Sequence, residues 1–116
     1  MNDIDLSYLN EVTGGSAEII KEMLVLFLKE TPEQIEVLRE KSEQKEWDSV
    51  KAEAHKLKPT FLYVGVSDIH MKLGKVEAYA KERVNLDEIS TLIEEVEIGF
   101  KNMKPSLEAK IEEATL

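Results

Sequence analysis

Apolar residues recur along most of the chain at spacings of three and four residues, which is the pattern of amphipathic helices. No run of alternating polar and apolar residues is long enough to predict a strand. The predicted helices cover residues 6–11, 17–30, 32–44, 47–64, 68–83 and a last segment from about 85 to beyond 100. The pattern therefore indicates an all-α protein.

Capping and breaking residues set the ends of these predicted helices. Ser16 is a natural N-cap, and Thr31-Pro32 combines a cap with proline at a first helical position, so one helix should end and another begin there. Further expected caps are Gly65, Ser67 and Asn85. Pro105 should kink or break the last helix, which leaves 105–116 as a kinked extension or a frayed tail.

Long helices with short connections predict an antiparallel up-down four-helix bundle, with the short additional N-terminal helix across one end. Ile35, Val37 and Leu38 are expected to face inward. The 116 residues fit a single domain over 1–116. A domain this small needs most of its apolar side chains for packing, so a large enclosed substrate cavity is not expected.

Composition and charge exclude several classes of function. The net charge of −9 argues against nucleic-acid binding and against docking on anionic lipid. Residues 51–81 differ, with six lysines and three acidic residues, which suggests either an anionic partner there or chance unevenness. Cysteine is absent, so disulfides and thiolate metal sites are excluded.

Signals for export or membrane insertion are not apparent in the sequence. The N-terminus is acidic, and the longest apolar run, residues 23–28, is too short to span a bilayer. We therefore expect a cytoplasmic protein with no membrane contact. The initial methionine favours a free-standing chain.

The predicted helix over 47–64 carries the candidate chemistry. Its apolar seam is expected to be Val50, Ala54, Leu57, Phe61 and Val64. His55 lies about 100° around the helix from Ala54, so its ring should sit at the edge of the core with one nitrogen facing water. Lys51, Lys58 and Leu62 share its stripe, and Lys56 flanks it.

An exposed imidazole beside lysines suits phosphoryl chemistry. A neutral imidazole nitrogen is a good nucleophile near neutral pH, and a phosphoryl group adds about two negative charges for which Lys58 would be a point-charge partner. A lone helical histidine is more often a surface or core residue, however, and lysine three residues away is common. The pair alone therefore leaves a functional and an incidental role open.

A longer pattern around this histidine resembles a known family. The run Ala54-His55-Lys56-Leu57-Lys58, with Gly65 ten residues after the histidine, resembles the A-H-x-L-K-G-x-x-x-x-x-G motif of histidine-containing phosphotransfer (HPt) domains. The similarity extends over about residues 5–100, through segments 9–15, 27–33 (F-x-x-x-x-P-E), Trp47 and 73–80 (L-x-x-L-E-x-x-A, with Val76 for the second leucine and Glu77 as the acid).

The resemblance implies a four-helix bundle with His55 as phospho-acceptor on its second helix, and Lys58 near the phosphate. Such a domain has no ATP site and no kinase activity. It takes phosphate from a receiver-domain aspartate and passes it to another receiver, with Mg²⁺ held only by the receiver. The expected partners are response-regulator receiver domains and a hybrid sensor kinase, and the expected state is a monomer.

Pro59 departs from the family pattern, which has glycine four residues after the histidine. Proline removes a backbone N–H and presses on the carbonyl of His55, so a bend is expected. That bend either alters how a partner docks or simply curves the helix around the core. The docking surface is expected to include Lys51, Lys56, Pro59, Leu62 and Gly65, with Lys72 or Lys75 and Tyr63 at its border.

Other sites are not expected. His70 should be a surface or helix-packing residue. The Glu-x-x-His pairs of metal-binding bundles are missing, because Ala52 and Ser67 precede the two histidines by three residues. The alternatives to a phosphocarrier are a receiver-binding module without phosphotransfer, in which Pro59 spoils the approach, and an unrelated bundle in which His55 is incidental.

Overall fold

The computed structural model describes residues 4–115, which form a bundle of helices. These are α1 (Ser7–Val12), α2 (Ala17–Glu43), α3 (Trp47–Tyr63), α4 (Ser67–Glu82) and α5 (Ile89–Thr115), with a 3-10 turn at Leu86–Glu88. Helix α3 packs between α2 and α4, and α5 closes the bundle against the same two helices. Because the connections are short, successive long helices run antiparallel. The predicted all-α bundle is confirmed.

The predicted helix starts are partly confirmed. The Ser16 hydroxyl accepts a hydrogen bond from the Ile19 N–H at 3.3 Å, as expected of an N-cap. Ser67 is not a cap, because Val66 holds that position and Ser67 is the first residue of α4. Asn85 precedes the 3-10 turn in a left-handed conformation, and α5 begins only at Ile89. Those two caps were therefore misplaced.

Contrary to the prediction, the prolines do not end their helices. Helix α2 continues through Pro32 for 27 residues, so the predicted end at Thr31 and restart at Pro32 are wrong. Proline inside a helix costs about 3 kcal/mol, whereas each large apolar side chain fully buried contributes about 1.5–3 kcal/mol. Phe27 and Ile35 are buried on either side of Pro32, and Thr31 itself is 1% exposed. Burial of the continuous helix outweighs the lost hydrogen bond.

The same balance corrects the expectation at Pro105. Helix α5 runs through this proline to Thr115 without a break, so the described part of 105–116 is a helical extension. A kink at Pro105 stays a prediction. Met103 and Leu107, on either side of Pro105, have no exposed surface. The turns of α5 on both sides of Pro105 are therefore held by the core.

The core follows the predicted seam of α3. Val50, Ala54, Leu57, Phe61 and Val64 are all buried. Helix α2 is predicted less well, because Val37 was expected inward and is 37% exposed. Its neighbour Leu38 is buried, and one residue along a helix turns the side chain by about 100°.

The connection from α3 to α4 is a tight helix end built on Gly65. Gly65 has φ +75°, its N–H bonds to the Leu62 carbonyl at 3.0 Å, and the Val66 N–H bonds to the Phe61 carbonyl at 2.9 Å. The Asp5 N–H also bonds to the Val64 carbonyl at 2.8 Å. This end of α3 therefore anchors the segment that leads into α1.

Candidate functional site

The outer face of α3 presents His55 to solvent. Its neighbour Ala54 is completely buried in the seam, whereas the His55 side chain is 70% exposed. Pro59 and Leu62 follow on the same stripe, four and seven residues later, and both are exposed. The predicted position of His55 at the edge of the bundle agrees with this geometry.

Helix α4 places a carboxylate against this histidine. Glu77 Oε2 lies 2.7 Å from His55 Nδ1, and Glu77 Oε1 lies 2.6 Å from Lys58 Nζ. The Glu77 and Lys58 side chains are 21% and 27% exposed, so both are half-buried between α3 and α4. These three side chains form one cluster, His55–Lys58–Glu77, in which a single carboxylate contacts both the ring and the ammonium group.

The contact with Glu77 distinguishes the two ring nitrogens of His55. A carboxylate only accepts hydrogen bonds, so the Nδ1–H of His55 donates to Glu77. In the neutral ring the lone pair then belongs to Nε2. The cluster thus orients the ring and leaves Nε2 as the basic nitrogen of a largely exposed side chain.

Opposing effects act on the pKa of Glu77. Partial burial raises the pKa of this carboxyl group, but the hydrogen bonds and charges of Lys58 and His55 together outweigh burial. The net pKa of Glu77 lies below its ordinary value, so the carboxylate is ionised at neutral pH. The site therefore keeps a permanent acceptor beside His55.

His70 connects α4 to α3 beside Pro59. Its Nδ1 lies 2.9 Å from the backbone carbonyl of Lys58, to which the Nδ1–H donates. The side chain is half-buried, so the expected helix-packing role of His70 is confirmed. This bond fixes α4 to the turn of α3 that carries Lys58.

A shallow apolar groove lies beside the same stripe of α3. It is lined by Tyr8, Pro59, Leu62 and Tyr63. The rings of Tyr8 and Tyr63 stack with centroids 5.5 Å apart, which attaches α1 to the end of α3. Tyr8 is 48% exposed and Leu62 is 46% exposed, so large apolar surface faces solvent next to the histidine.

The predicted lysines are not all directed at the site. Lys72 pairs with Asp68 at 3.2 Å and with Glu95 of α5 at 3.7 Å, so its charge is engaged away from α3. Lys56 and Lys75 are exposed and Lys51 is half-buried. Lys58 alone among the predicted lysines joins the cluster with His55.

Gly65 and Pro59 have local structural consequences. A Cβ atom on Gly65 would lie 2.5 Å from the Cβ of Asp5, so glycine is required by the packing of the N-terminal segment. Helix α3 continues through Pro59, which supplies no N–H to the carbonyl of His55. Whether these residues contact a partner stays a prediction.

Two members of the site were not singled out from the sequence. Glu77 was noted only as the acid of the 73–80 segment, and its contact with His55 depends on how α4 lies against α3. Tyr8 carried no signal, because its position beside Tyr63 arises from the placement of α1. Among residues 4–115, no group of three or more His, Cys, Asp or Glu side chains is arranged to hold a metal ion.

Comparison with known proteins identifies the family. The family model described as "Hpt domain" matches residues 22–113, which is most of the chain and includes the whole His55–Lys58–Glu77 cluster. Searches of curated proteins and of solved structures gave no significant match. Within residues 4–115, none of the helices combines the length and apolar character needed to cross a membrane. The match of residues 22–113 to the family model shows that the chain belongs to the histidine-containing phosphotransfer (Hpt) domain family.

Proposed function

We propose that this protein is a phosphorelay carrier that accepts a phosphoryl group on His55 from the aspartyl phosphate of one receiver domain and passes it to another. The observation that carries the proposal is the 2.7 Å contact between Glu77 and His55 Nδ1 on a ring that is 70% exposed. This contact directs the lone pair to Nε2, the atom that must meet the partner.

The transfer balances without an external co-reactant. Nε2 of His55 forms the N–P bond with its lone pair as the P–O bond of the aspartyl phosphate breaks, and the aspartate leaves as a carboxylate. The ring keeps its Nδ1–H and acquires positive charge, which the Glu77 carboxylate stabilises. Reversal with a second receiver restores the neutral ring, so His55 acts as a stoichiometric carrier.

Lys58 and the receiver domain would both supply positive charge to the phosphoryl group. Lys58 Nζ is held by Glu77, and it lies on the same helical stripe as His55, three residues away. It can offer its charge to the phosphoryl oxygens, with Lys51 and Lys56 contributing positive potential around them. Mg²⁺ would be bound by the receiver domain, and the carrier itself would need no cofactor and no ATP.

The receiver would dock over the exposed stripe of α3. The groove lined by Tyr8, Pro59, Leu62 and Tyr63 offers apolar surface for a receiver helix beside His55. We expect a monomer that binds its receivers, or a hybrid sensor kinase, transiently in the cytoplasm, because a carrier must release both donor and acceptor.

A second candidate function is binding of a receiver without phosphotransfer. Pro59 favours it, because this ring stands where the family has glycine and is part of the groove next to His55. In that case the groove would still hold a receiver, but the aspartyl phosphate would not reach Nε2.

Phosphoryl transfer from labelled receiver domains to the natural protein and to His55→Gln separates these functions. A carrier gains label that is acid-labile and base-stable, and the variant gains none. Receivers that bind in a titration but transfer no label to the natural protein would favour receiver binding without phosphotransfer and would contradict the carrier proposal.

A further inference from the structure

Gly74 is a glycine inside α4 for which the fold of the isolated chain gives no reason. It lies in the interior of Ser67–Glu82, and it is not among the residues with positive φ. Apart from its chain neighbours and the backbone of its own helix, no heavy atom lies within 4 Å of the position that its Cβ would occupy. Alanine would therefore fit without a clash, and it would stabilise the helix relative to glycine.

The open space over Gly74 lies beside the His55–Lys58–Glu77 cluster. His70, Gly74 and Glu77 follow one another at spacings of four and three residues, so they share one stripe of α4. Both flanking residues reach α3, His70 at the Lys58 carbonyl and Glu77 at the Lys58 and His55 side chains. Gly74 thus faces the same turn of α3 and leaves a gap between them.

On the α3 side of the site, an incoming partner meets the ring of Pro59. Pro59 fills the position that follows His55 by one helical turn, and it is exposed. A partner that must bring its own backbone near Nε2 meets this ring on α3, but it meets no side chain at Gly74 on α4. Absence of a side chain is what permits close backbone approach.

We propose that Gly74 is a specificity-determining residue, at which the backbone of the receiver segment carrying the phosphorylated aspartate approaches α4. The inference rests on the proposed phosphocarrier function and deepens it. A methyl group at position 74 would displace the incoming aspartyl phosphate from Nε2 while leaving the cluster intact.

The test compares Gly74→Ala with the natural protein in three measurements. The midpoint of urea unfolding should rise, because alanine is the better helix former. The rate of phosphoryl transfer from a phosphorylated receiver domain should fall about tenfold or more, since small displacements of reacting groups have effects of that size. The rate of His55 phosphorylation by phosphoramidate, a small donor without a backbone, should not change.

Asn102→Ala is the matched control, because it also replaces a poor helix former, at an exposed position of α5. It should raise the unfolding midpoint and leave both rates unchanged. Gly74→Leu, which projects further, should slow transfer from the receiver more than Gly74→Ala does.

The outcomes separate this inference from the function on which it rests. Unchanged receiver transfer in Gly74→Ala overturns the inference and leaves the carrier function in place. Equal slowing with receiver and phosphoramidate also overturns it, because the gap would then hold the phosphoryl group itself. A natural protein that accepts phosphate from neither donor overturns the carrier function and the inference together.

Discussion

Glu77 organises the site at the scale of single residues. Its two carboxylate oxygens are used separately, one by the His55 ring at 2.7 Å and one by the Lys58 ammonium at 2.6 Å. One acid thereby orients the His55 ring and holds the ammonium group of Lys58, three residues further along the same helix. Because Glu77 and Lys58 are half-buried, these contacts are less screened by solvent than an exposed ion pair.

The lowered pKa of Glu77 predicts a pH-dependent contribution to stability. A carboxyl group whose pKa is lower in the folded than in the unfolded state stabilises the fold above its unfolded pKa, which is close to the ordinary value of 4.5. That contribution is lost as the pH falls through the folded pKa. We expect Glu77→Gln to lower the free energy of unfolding by about 1 kcal/mol at neutral pH.

Urea denaturation of both proteins at about pH 6 and about pH 3 measures this difference. The gap between the natural protein and Glu77→Gln should narrow as the pH falls, because the stabilisation by the carboxylate is lost as this group takes up a proton in the folded protein. Glu94→Gln, on α5 and away from the cluster, is the control and should change little. A gap that is constant with pH would contradict the ionic role of Glu77.

At the scale of helices, proline inside a helix and glycine at its end have different effects. Three prolines lie inside helices, at positions 32, 59 and 105, and none of them ends its helix. Gly65, in contrast, ends α3, because its left-handed conformation allows two backbone bonds to turn the chain. A single missing N–H is compensated by packing along the helix, whereas a change of backbone conformation redirects the chain.

Gly65→Ala should be strongly destabilising. Alanine would have to adopt φ +75°, and its Cβ would meet Asp5 at 2.5 Å. Strained backbone of this kind costs about 1 kcal/mol or more, and displacement of the Asp5 segment adds to it, so we expect a loss of about 2–3 kcal/mol in urea denaturation.

Gly15→Ala provides the comparison for this prediction. Gly15 has a similar φ of +81° but nothing within 4 Å of an added Cβ. It should lose only the backbone part, about 1 kcal/mol. Equal losses at the two positions would show that contact with Asp5 contributes nothing at Gly65.

The long helices α2 and α5 hold the molecule together at the scale of the whole chain. Each has 27 residues, and they pack along one another. Arg39 of α2 pairs with Glu97 of α5 at 2.5 Å, and Phe27 packs against Phe100 with ring centroids 5.7 Å apart. Helices α2 and α5 form the side of the bundle away from His55, and α3 and α4 carry the site.

Leu107 tests whether the end of α5 belongs to the core. It lies beyond Pro105 and is fully buried. Leu107→Ala should lower the free energy of unfolding by about 2–5 kcal/mol, as expected for a buried leucine. Ile98→Ala on the same helix is the control, since Ile98 is 49% exposed and should lose far less. Similar small losses at both positions would indicate that the turns after Pro105 do not contribute to the core.

The sequence by itself determined what depends on local spacing. The periodic apolar residues predicted the helices and the buried seam of α3. The Ala54–Lys58 run with Gly65 carried the family resemblance on which the proposed roles of His55 and Lys58 rest. These features are local, because residues three, four and seven positions apart share a helical face whatever surrounds them. The turn at Gly65 was predictable for the same reason.

Only the tertiary structure decided what depends on how helices lie against one another. Helices α2 and α5 continue through Pro32 and Pro105 because residues on both sides of each proline are buried. Local helix propensity does not include this burial. Glu77 meets His55 from 22 positions away, and Gly74 lies open beside them, because α4 packs antiparallel to α3 in one register. The local sequence therefore singled out His55, and the packing of α4 against α3 determined which of its ring nitrogens carries the free lone pair.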